Sequence, residues 1–304
     1  MKKNMKNGLL ALFIGLVLLS GCESKKDTIH IATKPMSEQF ILGEMLALLI
    51  EENSDLHVKI TKGVGGGTSN IHPAMVKGDF DLYPEYTGTG WLVILKKDTL
   101  LPPDQLFSEL QKEYSREYGL KWVAPYGFNN AYSLAVSNEM AKKYNLKTFS
   151  DLALYPDLFT FGAEYDFYEI NDGYADLCAY YNLKFKKNLD MDIGLKYEAM
   201  KSGKIDVINI FTTDGQLSHA NLTTLKDDKH FFPSYYCATI VREETLKEHP
   251  ELERILEKMN GILTDQEMAD MNYKVDVEHR TEREVAVEFL KKKGLLNPQL
   301  SYGK

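Results

Sequence analysis

Hydrophobic and polar positions follow two different periods in the first third of the chain. Residues 28–32 alternate with a period of two, which predicts a strand. Residues 37–52 place apolar side chains at helical spacing and predict an amphipathic helix. Two more strands are predicted at residues 56–60 and 79–83, with a short helix between them. Because parallel strands need crossover connections, this alternation predicts an α/β fold with a sheet rich in parallel strands.

A second set of α/β signals begins near Asn138. The pattern therefore predicts two lobes, joined by two crossings near residues 125–132 and 231–236, with a ligand site between them. The remaining predicted elements are helices at 104–118, 171–181 and 193–201, strand segments within 122–137 and at 159–162, 204–211 and 236–241, and three final helices at 251–259, 265–271 and 282–293.

The N-terminus carries the pattern of an export signal. Three lysines within the first six residues precede an apolar run at residues 9–19, which is too short to span a bilayer as a helix. The sequence LSGC that ends at Cys22 resembles a bacterial lipobox, so residues 1–21 are predicted to be a lipoprotein signal peptide and Cys22 the lipid attachment site. Residues 22–28 would be a tether. The alternative is an uncleaved N-terminal helix.

Composition and spacing exclude several function classes. A formal net charge of −8 over 304 residues argues against a nucleic-acid partner. The seven histidines are scattered, so no metal site is expected. No nucleophile signature is present, and neither enzymatic activity nor a cofactor is expected. Cys178 and Cys237 are interpreted as small buried hydrophobes, although export permits a disulfide between them.

Four aromatic residues lie where predicted strands meet loops or crossings. They are Tyr86, Tyr132, Phe211 and Tyr235. The carboxyl ends of strands in an open α/β sheet border the ligand crevice, so these rings are candidates for a binding site. A quaternary ammonium ion has no N–H group to donate and is held instead by ring faces through cation–π attraction. Each ring taken alone is better explained as a core or rim residue, so the prediction depends on all four converging.

Five segments resemble motifs of the osmoprotectant-binding proteins of ABC importers. They are KPMSEQ at 34–39, DLYPEYTGT at 81–89, YGFNNAY at 126–132, FTTDG at 211–215 and DDKHFFPSY at 227–235. The resemblance implies the two-lobed periplasmic-binding-protein fold of type II with two hinge crossings. Lobe I would comprise residues 29–125 and 233–304, and lobe II residues 126–232.

The same resemblance implies an aromatic cage for a trimethylammonium group. The cage would consist of Tyr86, Tyr132, Phe211 and Tyr235, and the expected ligand-binding set is completed by Lys34, Thr89, Asn130 and Thr213.

Four positions depart from patterns found in this family. Phe211 stands where many relatives have tyrosine, and Ile170 replaces a common arginine. Lys34 stands where some relatives have glutamine, and Thr89 where some choline-restricted relatives have aspartate. A lysine can pair with a ligand carboxylate, so Lys34 and Thr89 favour a carboxylated betaine over choline, whereas the replacement of the arginine by Ile170 argues against carboxylate recognition.

The expected function is therefore that of a lipid-anchored protein on the extracytoplasmic face of the cell membrane. It would capture glycine betaine, carnitine or choline and deliver it to an ABC transporter permease. The alternatives are a different ligand in the same fold, such as an ergothioneine-like betaine or an amino acid, an enzyme on a similar scaffold, or a structural lipoprotein.

Overall fold

A computed structural model of the chain describes residues 27–169, 173–191, 193–299 and 301. The predicted signal peptide, the lipid site at Cys22, most of the tether and Ile170 lie outside these residues. Within the described part of the chain, no helix combines the length and the apolar character needed to cross a membrane.

Two five-stranded sheets form the centres of two α/β lobes. The first has the strand order β2-β1-β3-β10-β4 and the second β7-β6-β8-β5-β9. The strands are β1 (Thr28–Ala32), β2 (His57–Thr61), β3 (Leu82–Tyr86), β4 (Leu120–Val123), β5 (Tyr132–Ser137), β6 (Thr160–Ala163), β7 (Lys187–Asp190), β8 (Val207–Phe211), β9 (Leu222–Leu225) and β10 (Cys237–Arg242).

Helices connect and cover the strands of both sheets. The helices are α1 (Ser37–Asn53), α2 (Thr68–Lys77), α3 (Pro103–Tyr118), α4 (Asn138–Lys143), α5 (Phe149–Leu152), α6 (Tyr165–Glu169), α7 (Tyr174–Tyr181), α8 (Ile193–Lys201), α9 (Gly215–His219), α10 (Glu243–Glu248), α11 (Glu251–Leu256), α12 (Asp265–Asp276) and α13 (Glu282–Lys292). Short helical turns at Thr87–Thr89, Gly90–Ile94 and Glu257–Met259 complete the set.

Both sheets combine parallel and antiparallel neighbours in the same arrangement. In the first, β1 pairs in parallel with β2 and β3, whereas β10 runs antiparallel to β3 and β4. In the second, β6 pairs in parallel with β7 and β8, and β5 runs antiparallel to β8 and β9. The two-lobed α/β fold predicted from the sequence is confirmed.

Two crossings connect the lobes and lie side by side. Asn129 and Tyr236 form an antiparallel bridge, and the backbone N–H of Asn130 donates to the carbonyl of Tyr235 over 3.2 Å. The proposed lobe boundaries, between residues 125 and 126 and between 232 and 233, fall within these connections. The pairing fixes the place about which the lobes can move relative to each other.

The third strand differs from the prediction. It begins at Leu82 rather than residue 79 and continues through Pro84 and Glu85, where the sequence pattern predicted a break. Proline is tolerated here because β1 pairs with β3 only at Ile31 and Leu82. Pro84 lies beyond this parallel ladder, so its missing N–H group leaves no carbonyl of β1 without a donor. Tyr86 therefore ends a strand instead of following a loop.

Helix α1 is buried on nearly all sides rather than amphipathic. Its positions from Ile41 to Ile50 are all buried, because helices α11, α12 and α13 cover the side that faces away from the sheet. The guanidinium of Arg283 in α13 bonds Glu44 of α1 over 3.0 Å. The C-terminal helices thus complete the first lobe around α1.

The two cysteines within the described residues are free thiols in different lobes. Cys237 is buried in β10, and Cys178 is half-buried in α7. Burial raises the pKa of both, that of Cys178 to about 11. The interpretation of these residues as unpaired hydrophobes agrees with this placement.

Candidate ligand-binding cleft

The carboxylate of Glu38 joins side chains from both lobes. Glu38 lies in the first turn of α1 and is 3% exposed. It accepts hydrogen bonds from Tyr86 Oη over 2.5 Å, from Asn130 Nδ2 over 3.0 Å and from Asn272 Nδ2 over 3.3 Å. The side chain of Thr213, which follows β8 of the second sheet, donates a fourth bond. These five residues are called the Glu38 network below.

The Glu38 network connects three of the predicted site residues. Tyr86 ends β3, Asn130 lies in the first crossing, and Thr213 follows the second-lobe strand that ends in Phe211. Burial of the carboxylate raises the pKa of Glu38, and the four hydrogen bonds oppose that rise. Burial, followed by the charge of Glu38, also raises the pKa of Tyr86 far above its ordinary value, so this hydroxyl stays a donor.

Tyr132 and Phe211 form a ring pair in the second lobe. The two residues are opposite each other in the antiparallel register of β5 and β8. Their ring centroids are 4.4 Å apart, with an angle of 31° between the planes. Tyr132 also contacts Phe167 and Phe232, at 5.2 Å and 5.8 Å. Both members of the pair are only partly buried, so ring surface stays accessible at the edge of the sheet.

Tyr235 lies in the second crossing and packs against the segment that follows β3. An ideal Cβ on Gly88 would be 2.6 Å from the Tyr235 ring and 2.9 Å from the carbonyl of Ser234. Only glycine permits this close approach of the helical turn Thr87–Thr89 to the crossing. Thr89, the next predicted site residue, is half-buried at the end of that turn. The turn thereby holds Thr89 beside the crossing that carries Tyr235.

Lys34 is engaged within the first lobe. Its ammonium group pairs with the fully buried carboxylate of Glu85 and lies 4.5 Å from the centroid of the Tyr86 ring. Glu85 also accepts from the Thr68 hydroxyl over 2.6 Å and from the backbone N–H of Tyr86 over 2.7 Å. One face of Tyr86 therefore already contacts a cation. The ammonium has three donors, so the pair with Glu85 leaves capacity for another acceptor.

Buried charges support the loop that carries Phe211 and Thr213. Asp214 accepts from Tyr197 Oη over 2.8 Å and from the backbone N–H of Phe211 over 3.2 Å. Burial raises the pKa of Asp214, and the charge of Lys196 opposes that effect. Lys196 is fully buried and pairs with Glu164 over 3.2 Å. These bonds fix the backbone at the end of β8, and with it the direction of the Phe211 ring.

Two cavities lie on opposite sides of the first crossing. The smaller has a volume of about 160 Å³ and is lined by Glu38, Asn130, Phe211, Thr213, Asp214 and Asn272, among others. The larger, of about 600 Å³, has a different lining, which includes Tyr132, Trp91, Leu101, Asn129, Ala131 and Phe232. Asn130 borders one cavity and its neighbours Asn129 and Ala131 border the other, as alternation along an extended chain requires.

The chemistry of the smaller cavity suits a cation. Three carboxylates line it, those of Glu38, Asp214 and Asp276, together with the ring of Phe211. Three of the predicted site residues, Asn130, Phe211 and Thr213, are on its wall. Within the described residues, no group of three histidine, cysteine or carboxylate side chains is arranged to hold a metal ion.

The fold and this cleft define a two-lobed solute-binding protein, and comparison with solved structures agrees. The crystal structure of a glycine betaine/carnitine/choline ABC transporter protein superposes with a TM-score of 0.84 and 32% sequence identity. The match covers 88% of this chain and all of that one.

The chain belongs to the family described as the substrate binding domain of ABC-type glycine betaine transport systems. The family model matches residues 27–292. The carnitine transport binding protein OpuCC of Listeria monocytogenes (serotype 1/2a, strain 10403S) is 36% identical over 301 residues, which cover 95% of this chain and 97% of that protein.

A second relative combines two functions in one longer protein. The ergothioneine transport permease/ergothioneine binding protein EgtU of Helicobacter pylori (strain G27) is 46% identical over 287 residues, or 94% of this chain. The chain spans about half the length of that relative (51%). These relatives are transport binding proteins rather than enzymes.

Glu38 and Asn272 were not among the site residues predicted from sequence. Glu38 lies within the motif KPMSEQ, but an acidic residue in the first turn of a helix usually faces solvent and interacts with the helix dipole. Asn272 lies in α12, 234 residues away from Glu38. Only the packing of α12 on α1 brings the two together, so no local pattern could have identified Asn272.

Proposed function

We propose that this chain is a lipid-anchored, extracytoplasmic solute-binding protein that captures a quaternary-ammonium compound between its lobes. It would deliver the ligand to the permease of an ABC importer without covalent chemistry. The observation that carries the proposal is the Glu38 network. It connects Tyr86 of the first lobe and Asn130 of the crossing with the loop after Phe211 in the second lobe.

Aromatic ring faces are the feature of the site that suits a methylated cation. The Lys34 ammonium, 4.5 Å from the Tyr86 centroid, supports the idea that this ring accepts a cation in its present orientation. In the second lobe, Tyr132 and Phe211 supply partly exposed ring surface. Between closed lobes, these rings would surround the ammonium group and keep its methyl groups out of water.

A carboxylated betaine, such as glycine betaine or carnitine, is favoured over choline. Lys34 keeps two N–H donors beyond its pair with Glu85, and these could bind a ligand carboxylate. Choline offers no carboxylate and would leave those donors without a new partner. Thr89, at the end of the turn next to the crossing, adds no negative charge that would repel the carboxylate.

Ergothioneine is the second candidate ligand within the same chemical class. It is also a trimethylammonium carboxylate, so it would use the same rings and the same lysine. The Helicobacter relative named for ergothioneine is 46% identical to this chain, whereas the Listeria relative named for carnitine is 36% identical.

Calorimetry with a panel of ligands tests the proposal. Glycine betaine, carnitine, choline, ergothioneine and a neutral amino acid would be titrated into the mature protein. We expect binding of at least one carboxylated quaternary ammonium compound and weaker binding of choline. Each cage ring contributes roughly 0.5–2 kcal/mol, so Tyr86→Ala combined with Tyr132→Ala should weaken binding by about five-fold to nearly a thousand-fold.

The control removes a tyrosine whose ring contacts are with Tyr181 and Phe231 rather than with the cage residues. Tyr180 is 52% exposed in the second lobe, and Tyr180→Ala should leave the affinity unchanged. Binding that survives the double substitution at full strength would exclude the cage. Preferred binding of the neutral amino acid would instead favour a different ligand class in the same fold.

Cell fractionation tests the anchor separately. The protein with Cys22 should incorporate labelled fatty acid and sediment with membranes. Cys22→Ser should abolish both properties while leaving ligand affinity unchanged, because residue 22 precedes the folded lobes. Equal membrane association of both proteins would contradict a lipid anchor at this residue.

A further inference from the structure

Helices α9 and α12 contact each other across the opening between the lobes. Helix α9 follows β8 of the second lobe, whereas α12 packs on α1 in the first. The rings of His219 in α9 and Tyr273 in α12 have centroids 3.7 Å apart with an angle of 30° between their planes. This contact is separate from the two crossings, and it therefore joins the lobes at a second place.

Asn272 bonds both lobes with one amide group. Its Nδ2 donates to the carbonyl of Thr213 over 2.8 Å and to Oε2 of Glu38 over 3.3 Å. The residue is 6% exposed, so water competes poorly for these bonds. Opening of the lobes would separate Asn272 from Thr213 while leaving the bond to Glu38 within the first lobe.

Gly215 allows the two helices to approach this closely. An ideal Cβ at Gly215 would be 2.7 Å from the backbone nitrogen of Tyr273 and 3.0 Å from the carbonyl carbon of Asn272. Both neighbours are backbone atoms, which cannot rotate away as the end of a flexible side chain could. An alanine at position 215 therefore requires the helices, and with them the lobes, to separate.

We propose that Gly215 and Asn272 form a clasp between α9 and α12 that sets the equilibrium between open and closed lobes. Both residues also line the smaller cavity, and the clasp would change ligand affinity through the lobe equilibrium rather than through the aromatic rings. The proposal rests on the proposed function only for the ligand, because the lobe equilibrium itself exists with or without one. The apparent dissociation constant rises as the closed fraction falls, since the intrinsic constant is divided by that fraction.

The clasp makes a distinctive kinetic prediction. Gly215→Ala should weaken the binding of a quaternary-ammonium ligand by about ten-fold or more, with most of the change in the dissociation rate. Gly65→Ala is the matched control, because a Cβ at Gly65 would meet no atom within 4 Å. It should leave both rate constants unchanged.

The decisive measurement is the distance between the two lobes in the absence of ligand. Dyes would be attached at Lys59→Cys on β2 and Lys187→Cys on β7, both exposed, in a background with Cys178→Ser. Single-molecule energy transfer should show a longer mean distance for Gly215→Ala than for the parent or for Gly65→Ala. If the parent protein binds no quaternary-ammonium compound, the proposed function is wrong. The comparison of lobe distances would still test whether the clasp sets the lobe equilibrium.

Asn272→Ala provides a second test that adds no volume. It leaves the Thr213 carbonyl without its donor in the closed form, so it should also lengthen the mean distance and speed ligand release. This variant replaces Gly215→Ala if that protein does not fold. Distance distributions of the folded variants that match the parent would overturn the proposal.

Discussion

Lys34 shares its charge between a carboxylate and an aromatic ring. Its partner Glu85 is fully buried, and the side chain of Lys34 is 11% exposed. A buried pair of this kind gains little net stability over an apolar pair, but the loss of one partner leaves an uncompensated charge in the interior. The pair therefore constrains what can replace either residue.

Removal of the lysine charge should destabilise the protein strongly. Lys34→Met leaves the Glu85 carboxylate buried and without its cation, so the free energy of unfolding should fall by about 3 kcal/mol. Lys34→Met combined with Glu85→Gln should recover at least half of that loss, because the buried charge is also gone. Urea denaturation of the three proteins measures both effects.

A surface pair provides the matched comparison. Lys121 bonds Glu253 over 2.7 Å, and both side chains are more than a third exposed. Lys121→Met should change the free energy of unfolding by less than about 1 kcal/mol. Equal losses for Lys34→Met and Lys121→Met would mean that the burial of Glu85 has no energetic consequence.

The predicted site residues differ in how they could be recognised. The sequence placed Tyr132 and Phe211 where predicted strands meet loops, and the antiparallel register brings the start of β5 beside the end of β8, so that the two rings pair. Lys34 was expected to bind a ligand carboxylate, yet it pairs with Glu85, which lies near the end of a different strand. That partnership depends on the register of β1 with β3, which residue types alone do not encode.

At the scale of elements, helix α12 depends on a capping box. The Thr264 side chain accepts from the backbone N–H of Glu267, and the Glu267 carboxylate accepts from the backbone N–H of Thr264. The same helix carries Asn272 and Tyr273 on the side that meets α9. Its N-terminal order is therefore important both for stability and for contact between the lobes.

Loss of this cap should have two measurable effects. Thr264→Ala should lower the free energy of unfolding by about 1 kcal/mol, because the backbone N–H of Glu267 loses the hydroxyl that accepts its hydrogen bond. It should also speed ligand release modestly, since α12 frays near the clasp. Thr61→Ala, at the exposed end of β2, is the control and should change neither quantity; an unchanged Thr264→Ala protein would contradict the role of the cap.

Elements with a clear periodic pattern were predictable from the sequence, whereas short elements without such a pattern were not. The strand at residues 28–32 and helices α3, α8 and α13 appear within a residue or two of their predicted positions. Strands β7 and β9 and helix α9 have four or five residues each and gave no periodic signal. They form through pairing with a neighbouring strand or contact with the other lobe, so their existence depends on tertiary structure.

At the scale of the molecule, hydrogen bonds to one buried carboxylate link the two lobes. Glu38 accepts hydrogen bonds from the first lobe, the crossing and the second lobe. The two-lobed α/β class followed from the alternation of strands and helices, but the antiparallel strands β10 and β5 of the two sheets were not predicted. The contact between α9 and α12 did not, since it joins segments more than fifty residues apart through shape rather than through a repeated pattern.

The burial of Glu38 predicts how ligand affinity depends on pH. In the closed structure, burial raises the pKa of Glu38 above its ordinary value of 4.5, and opening would hydrate the carboxyl group and return its pKa toward that value. The closed form therefore binds a proton more tightly than the open form. Closure is favoured at low pH, and this advantage is lost as pH rises through the raised pKa of the closed form.

Affinity for a quaternary-ammonium ligand should consequently increase as pH falls from neutral through the raised pKa of Glu38, by up to ten-fold for each unit by which closure shifts the pKa. Tyr86 and Cys237, two ionisable groups near Glu38 in the first lobe, stay neutral over this range because burial raises the pKa of both. Asp214, whose pKa burial also raises, adds an effect of the same sign from the second lobe. Glu38→Gln keeps a neutral acceptor in place and should remove most of the pH dependence, as measured by calorimetry at several pH values. Affinity that instead rises with pH, or an undiminished pH dependence in Glu38→Gln, would show that another group controls closure.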